Sequence, residues 1–236
     1  AGISADYYLR LEQGRDRNPS VQVLEGLARV LQLDDDATDY LIGLAAPKPK
    51  RRRRPRREVV PAGIRELLDM LNVPAFVEGR YFDVLAANRL GEALYAPAFD
   101  GPDRPVNLAR FCYLDPRAEE LYPDWDGAAN TTVALLRTEA GRDPYDKNLS
   151  DLIGELATRS DDFRTRWAAH DVRLHHTGTK HFQHPVVGRL DLAFEAMPLP
   201  ADPGLTLTAY SAEAGTPAHD ALRLLASWTA SVVDQG

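Results

Sequence analysis

The sequence predicts two folds joined by a strap: a short all-α head and a larger α+β body built on an antiparallel sheet. Three observations carry that reading. Residues 1–45 hold capped amphipathic segments at helical spacing and no alternating run. Residues 46–57, "APKPKRRRRPRR", contain eight basic side chains, no acidic one and three prolines, so the segment repels itself and reads as an extended linker. Beyond it come two alternating segments, a helical block and three or four more alternating segments, an order that implies one antiparallel sheet with helices gathered on a face. The expected boundaries are 1–45 for the head, 46–60 for the linker and 61–236 for the body.

Within the head, Ser4 is placed to cap a helix that runs without Gly or Pro from Ala5 to Gln13 and stops at Gly14. Tyr8 and Leu11 share one face, which leaves Ala5, Asp6, Leu9 and Arg10 pointing elsewhere. A second helix follows in "NPSVQVLEGLARVLQL", where Pro19 suits the first turn and Val23, Leu24, Leu27, Val30 and Leu31 repeat at helical spacing. "DDDATDYLIGLA" supplies a third.

The body starts with an amphipathic helix, "AGIRELLDML". The period then changes to two: Val73, Ala75 and Val77 alternate, Gly79 turns the chain, and Phe82, Val84 and Ala86 alternate before a helix near Asn88. From about 107 to 169 the pattern is helical, in "NTTVALLRTEA", "NLSDLIGELATRS" and "DDFRTRWAAH". "DVRLHHTG", "KHFQHPVVG", "RLDLAFEAMPL" and "LTLTAYSAE" read as strands between Gly and Pro turns, and "ALRLLASW" as a closing amphipathic helix.

Composition bounds the function classes. A 44% apolar share over 236 residues supports a sizeable core, and no run approaches the roughly 20 apolar residues of a membrane span. The single cysteine, Cys112, excludes an internal disulfide and suits a reducing cytoplasm, where it reads as a small buried hydrophobe. The net charge of -7 conceals the strongly basic strap in an otherwise acidic chain. No GxSxG, P-loop or CxxC motif points to an enzyme or a cofactor. Five of the six histidines, His170, His175, His176, His181 and His184, crowd together, yet strand alternation sends His175 and His176 to opposite faces, and structural or pocket-lining roles are expected over a metal site.

"GIS", "YLRLEQGRDRNPS" and "VLEGLARVLQLD" resemble the Cro/repressor (Xre-type) helix-turn-helix over residues 1 to about 45. The resemblance implies that "AGIS" is the turn, that the helix at Ser4 is the recognition helix, and that the first helix and nearly all of the second precede residue 1. The expected DNA-facing residues are Ser4, Ala5, Asp6, Tyr7, Arg10, Arg15, Arg17, Asn18 and Ser20, with Ala5, Asp6 and Tyr7 nearest base edges and the arginines and the 18–20 helix start facing phosphates. Asp6 has two readings: it accepts from a cytosine amine, or it caps its own helix. The basic strap reads as a phosphate-tracking arm beside that helix.

"VPAFVEGRYFDVLAANRLGEALY", "HPVVG", "DPG" and "YSAEAGTP" resemble the MmyB-like regulators, whose C-terminal half is a PAS-like ligand-binding domain. The resemblance implies a transcription regulator whose partners are double-stranded DNA and an apolar small molecule of the acyl-chain or fatty-acid kind, without a cofactor, a metal or a membrane. The expected ligand-lining residues are Phe76, Phe111, Leu135, Phe163, Trp167, His176 and Phe194, with Phe163 and Trp167 presenting one aromatic face. An acidic ligand needs a cation, for which Arg110, Arg137, Arg164 and Arg166 are open candidates. A homodimer is expected because such heads read paired half-sites. The alternative is a PAS-like interaction module that holds no ligand and recruits a partner to DNA.

Overall fold

The computed structural model describes residues 4–16, 19–45, 58–169 and 177–233. Among the described residues the head holds three helices: α1 (Ala5–Glu12), α2 (Val21–Val30) and α3 (Asp35–Ala45). Each of the first two starts on a serine cap, Ser4 Oγ accepting from the Tyr7 amide at 3.2 Å and Ser20 Oγ from the Val23 amide at 3.4 Å. Pro19 therefore stands outside α2, one residue before its cap, and not in the first turn. Of the apolar stripe on α2, Leu24 is buried together with Ala28, whereas Val30 and Leu31 are exposed. The chain leaves that helix at Leu31 and reverses at Gln32, whose φ is 54°.

The body opens with α4 (Ala62–Met70), then the hairpin β1 (Ala75–Glu78) and β2 (Asp83–Ala87). Short helices α5 (Arg89–Leu94) and α6 (Ala96–Phe99) lead to a two-residue strand, β3 (Val106–Asn107). The helical block comprises α7 (Leu108–Leu114), α8 (Arg117–Leu121), α9 (Trp125–Arg142), α10 (Lys147–Arg159) and α11 (Asp161–Ala169). Three longer strands, β4 (Thr177–His184), β5 (Gly188–Pro198) and β6 (Thr206–Ser211), precede α12 (Pro217–Val233). All strands join one antiparallel sheet in the order β3-β2-β1-β6-β5-β4. The expected α+β architecture is present, with β3 as an edge strand too short to leave a periodic signal. Of "DVRLHHTG", residues 171–176 lie outside the described residues, and β4 begins at Thr177.

Strand parity sorts the side chains into two layers. Ala75 and Val77 face outward with Leu205 and Leu207, and Val60 and Leu68 from the α4 region close that face. Phe76, Val84, Phe182, Leu190, Leu192 and Tyr210 face inward against α5, α7, α8 and α12. A third cluster lies among the helices alone, where Leu136, Leu149, Leu156 and Phe163 are fully enclosed. Phe82 packs against both the inner and the helical clusters at a φ of 65°, a left-handed conformation that costs a non-glycine residue on the order of 1 kcal/mol.

Asn88 ties the first hairpin to what precedes and follows it. Its Oδ1 accepts from the Ala75 amide at 3.1 Å and caps α5 through the Gly91 amide at 2.8 Å, while Nδ2 donates to the Val73 carbonyl at 2.7 Å. Helix α5 approaches β1 so closely that a Cβ on Gly91 would stand 2.4 Å from the Ala75 carbonyl oxygen.

Candidate functional site

The exposed side of α1 is held by charge pairs. Asp6 neither caps its helix, since Ser4 fills that place, nor stands alone: its carboxylate lies 3.2 Å from Arg10, one turn on. Arg10 also reaches Asp16 at 3.5 Å and lies over the Tyr7 ring at 5.8 Å. Asp6, Tyr7 and Arg10 thus form one connected surface, and Arg15 is exposed beyond it. Ala5 begins the helix, and Arg17, Asn18 and the basic strap lie outside the described residues.

In the body, the expected lining residues separate into two groups. Phe76, Phe111 and Phe194 pack around the inner sheet face: Phe76 meets Tyr95 edge-on at 5.5 Å, Phe111 meets Tyr122 at 6.1 Å and Phe194 meets Tyr210 at 6.3 Å. Phe163 and Trp167 belong to the helical cluster, stacked at 5.6 Å with 14° between their planes. Phe163 is fully buried, while Leu135 on α9 is half-buried and joins neither cluster. His176 lies outside the described residues.

The four candidate arginines are now distinguishable. Arg110 pairs with Glu155 at 2.8 Å in a polar cleft of about 280 Å³ that also takes in Tyr81, Asp83 and Asn107. Arg164 pairs with Asp161 at 2.7 Å, and Arg166 with Asp126. Arg137 differs in having no carboxylate partner among the described residues: it is 6% exposed, lies over the Trp167 ring at 4.8 Å and donates to the Trp167 carbonyl, while its Nε, like that of Arg166, has no partner.

A second cation under the sheet is Lys180, on the inward face of β4 with Phe182 and His184. Its ammonium donates to Tyr95 Oη at 3.1 Å and lies 4.7 Å from the Tyr122 ring centre, 5.4 Å from Tyr95 and 5.5 Å from Phe182. Tyr95 Oη in turn lies 2.5 Å from Tyr210 Oη. No carboxylate stands within 4 Å of Lys180 among the described residues, and burial lowers its pKa to about 8. The nearest charge partner is Glu78 on β1, whose own burial raises it to about 7 against the opposing pull of Lys180. One inner-face position from Tyr210, the Thr208 hydroxyl is 4% exposed and has no hydrogen-bond partner among the described residues.

Lys180, Glu78, Tyr95 and Thr208 escaped the sequence reading. A signal for Lys180 existed, because Lys180, Phe182 and His184 alternate in "KHFQH" and share one strand face. The histidines resolve differently. His184 closes its own turn, Nδ1 accepting from the Val186 and Val187 amides at 3.2 and 3.3 Å while Nε2 donates to the Ala93 carbonyl at 2.9 Å. Burial keeps it neutral, and Gly188 completes the turn at a φ of 75°. The "HPVVG" motif is therefore structural. His181 faces outward against Asp191 at 2.7 Å, and no group of three metal-ligating side chains exists among the described residues.

The head and the body are two different folds, a set of capped helices and a six-stranded antiparallel sheet with helices packed against its inner face. Residues 60–225 match the model of the MmyB-like transcription regulator ligand binding domain, and residues 1–41 match a helix-turn-helix domain. The chain belongs to the MmyB-like transcription regulators. No curated protein matches the sequence. Among the described residues no helix is long and apolar enough to cross a membrane.

Proposed function

We propose that this regulator responds to an apolar small molecule of the fatty-acid type, held between the inner sheet face and the helices, and that occupancy alters how the head engages double-stranded DNA. The observation that supports this is the buried polar inventory of the body. Lys180 has no carboxylate within 4 Å and Thr208 Oγ1 has no partner among the described residues, in a setting otherwise made of aromatic rings. A closed core penalises such groups by roughly 1–3 kcal/mol each, whereas an occupant with one polar end satisfies them. Phe76, Phe111, Phe194, Phe163, Trp167 and Leu135 are proposed as its apolar lining. The acting form is a non-enzymatic cytoplasmic homodimer joined through the bodies, with the 1–45 and 61–236 segments as its two units.

Denaturing extraction of the purified protein followed by mass spectrometry tests the reading: a stoichiometric lipid is expected, and an empty protein that also fails to bind added fatty acid overturns it. Trp167→Ala is expected to weaken fatty-acid binding with the fold intact. The other reading, an interaction module without a ligand, is favoured by Leu224 and Trp228, which stand one turn apart on α12 at 63% and 42% exposure.

A further inference from the structure

We infer that Lys180 is the head-group anchor of the ligand site, and that with the Tyr95–Tyr210 hydroxyl pair it accepts a single carboxylate at the end of an apolar chain. The inference rests on the ligand-binding reading above and specifies the polar end of that site.

The ammonium of Lys180 carries three N–H donors, of which one goes to Tyr95 Oη. Contact with three rings offsets part of its desolvation, since a cation over an aromatic face gains about 0.5–2 kcal/mol, but rings accept no hydrogen bond of ordinary strength. Lys180 is half-buried, and a charge drawn that far from water that is neither ion-paired nor fully hydrogen-bonded loses solvation without full compensation. A carboxylate set against Lys180 would take its remaining donors in charge-assisted bonds. Tyr95 and Tyr210 share one hydroxyl–hydroxyl hydrogen bond in which either can donate; with Tyr95 as the donor, the Tyr210 proton is free to turn toward a carboxylate. The Thr208 hydroxyl, on the same face of β6, is a further unused donor.

The rings beside this point are Phe76, Tyr122, Phe182 and Phe194, so the rest of the ligand is hydrocarbon. One ammonium faced by Glu78 suits a single negative charge and disfavours a phosphate, whose second charge would meet the Glu78 carboxylate unbalanced. The titratable groups facing Lys180 are Glu78 from β1, Tyr95 after α5, Cys112 from α7, Tyr122 after α8 and Tyr210 from β6. Burial holds the three tyrosines and Cys112 protonated through neutral pH. Glu78 and Lys180 titrate near 7 and 8, and both changes oppose a bound carboxylate as pH rises: Glu78 gains a negative charge and Lys180 loses its positive one.

The test compares dodecanoate with 1-dodecanol, probes of equal chain length that differ in head charge, by calorimetric titration of the full chain. At pH 6.5 the wild type is expected to prefer the acid by roughly 10- to 100-fold, the range of a charge-assisted hydrogen bond. Lys180→Met is expected to bring the acid down to the alcohol's affinity and leave the alcohol unchanged, with thermal melting reporting the fold. Acid affinity of the wild type should fall about tenfold or more between pH 6.5 and 9 while the alcohol's stays level, an arm that decides the matter even if the variant does not fold. Retention of the acid preference in Lys180→Met, or a flat pH profile for the acid, overturns the anchor and points to Arg137. Equal binding of both probes to the wild type overturns the anchor but keeps an apolar site. Failure of both probes to bind at any pH overturns the ligand-binding reading itself.

Discussion

The two faces of the central sheet are built from the same strands and answer to different demands. On the outer face, Ala75, Val77, Leu205 and Leu207 meet Val60 and Leu68 from the α4 region in a small, wholly aliphatic layer. On the inner face the same alternation delivers Phe76, Tyr210 and Phe182 together with Glu78, Thr208 and Lys180. The outer layer has nothing to satisfy and therefore only holds. The inner layer carries polar groups that packing alone leaves unbalanced, and so it is where the proposed occupant would change the energy.

That contrast breaks most visibly at the outer face. Leu68→Ala is expected to lower unfolding free energy by about 2–5 kcal/mol, the range for emptying a leucine site, while fatty-acid affinity of the folded protein stays unchanged. Denaturant unfolding with and without ligand measures both; loss of affinity in the folded variant would show that the faces are not independent.

Glu78→Gln sharpens the comparison from the inner side. Burial keeps the Glu78 carboxyl at about 7, above its ordinary 4.5, so between those values the folded chain retains a proton that the unfolded chain has released. Stability therefore declines as pH rises through that window. Glu78→Gln should flatten the decline, gaining up to about 3 kcal/mol over the wild type at pH 8 and nothing at pH 4. Melting curves across pH 4–8 test this, and parallel profiles would contradict it.

Thr208→Val exchanges an unpartnered hydroxyl for a methyl of the same shape. A gain of about 1 kcal/mol in stability is expected in the ligand-free protein, with weaker dodecanoate binding. A site that only packs would gain the stability and leave binding untouched. In the head, where charges sit in solvent, effects are smaller: Arg15→Ala should weaken all DNA sequences alike and flatten the salt dependence by about 0.9 log units, whereas Tyr7→Ala should change which base pairs are preferred. Competition binding at several salt concentrations separates the two.

Much of this organisation is legible along the chain because its causes are local. Ser4 and Ser20 cap helices through their own neighbouring amides, Asn88 starts α5 where a cap residue follows an alternating run, and the strap separates head from body by composition alone. The resemblance in "HPVVG" points to the right family, although the residues that make it recognisable form a turn closed by His184.

What the sequence determined by itself was the kind and order of the longer elements and the period of each, since these depend on neighbours within about four residues, whereas short elements such as α6 and β3 carry too few residues to show a period. The tertiary structure decided which side chains meet. Arg164 meets Asp161 three residues back on its own helix, but Arg110, Arg166 and Arg137 read alike in one dimension, and only packing hands the first two a distant carboxylate and sets the third against the Trp167 ring. Lys180 is one lysine on one strand until β4 takes the sheet edge opposite α8, where Tyr95 and Tyr122, more than fifty residues earlier in the chain, enclose its ammonium. Burial and charge balance are properties of surroundings, and surroundings assembled from distant segments leave no spacing for a sequence to display.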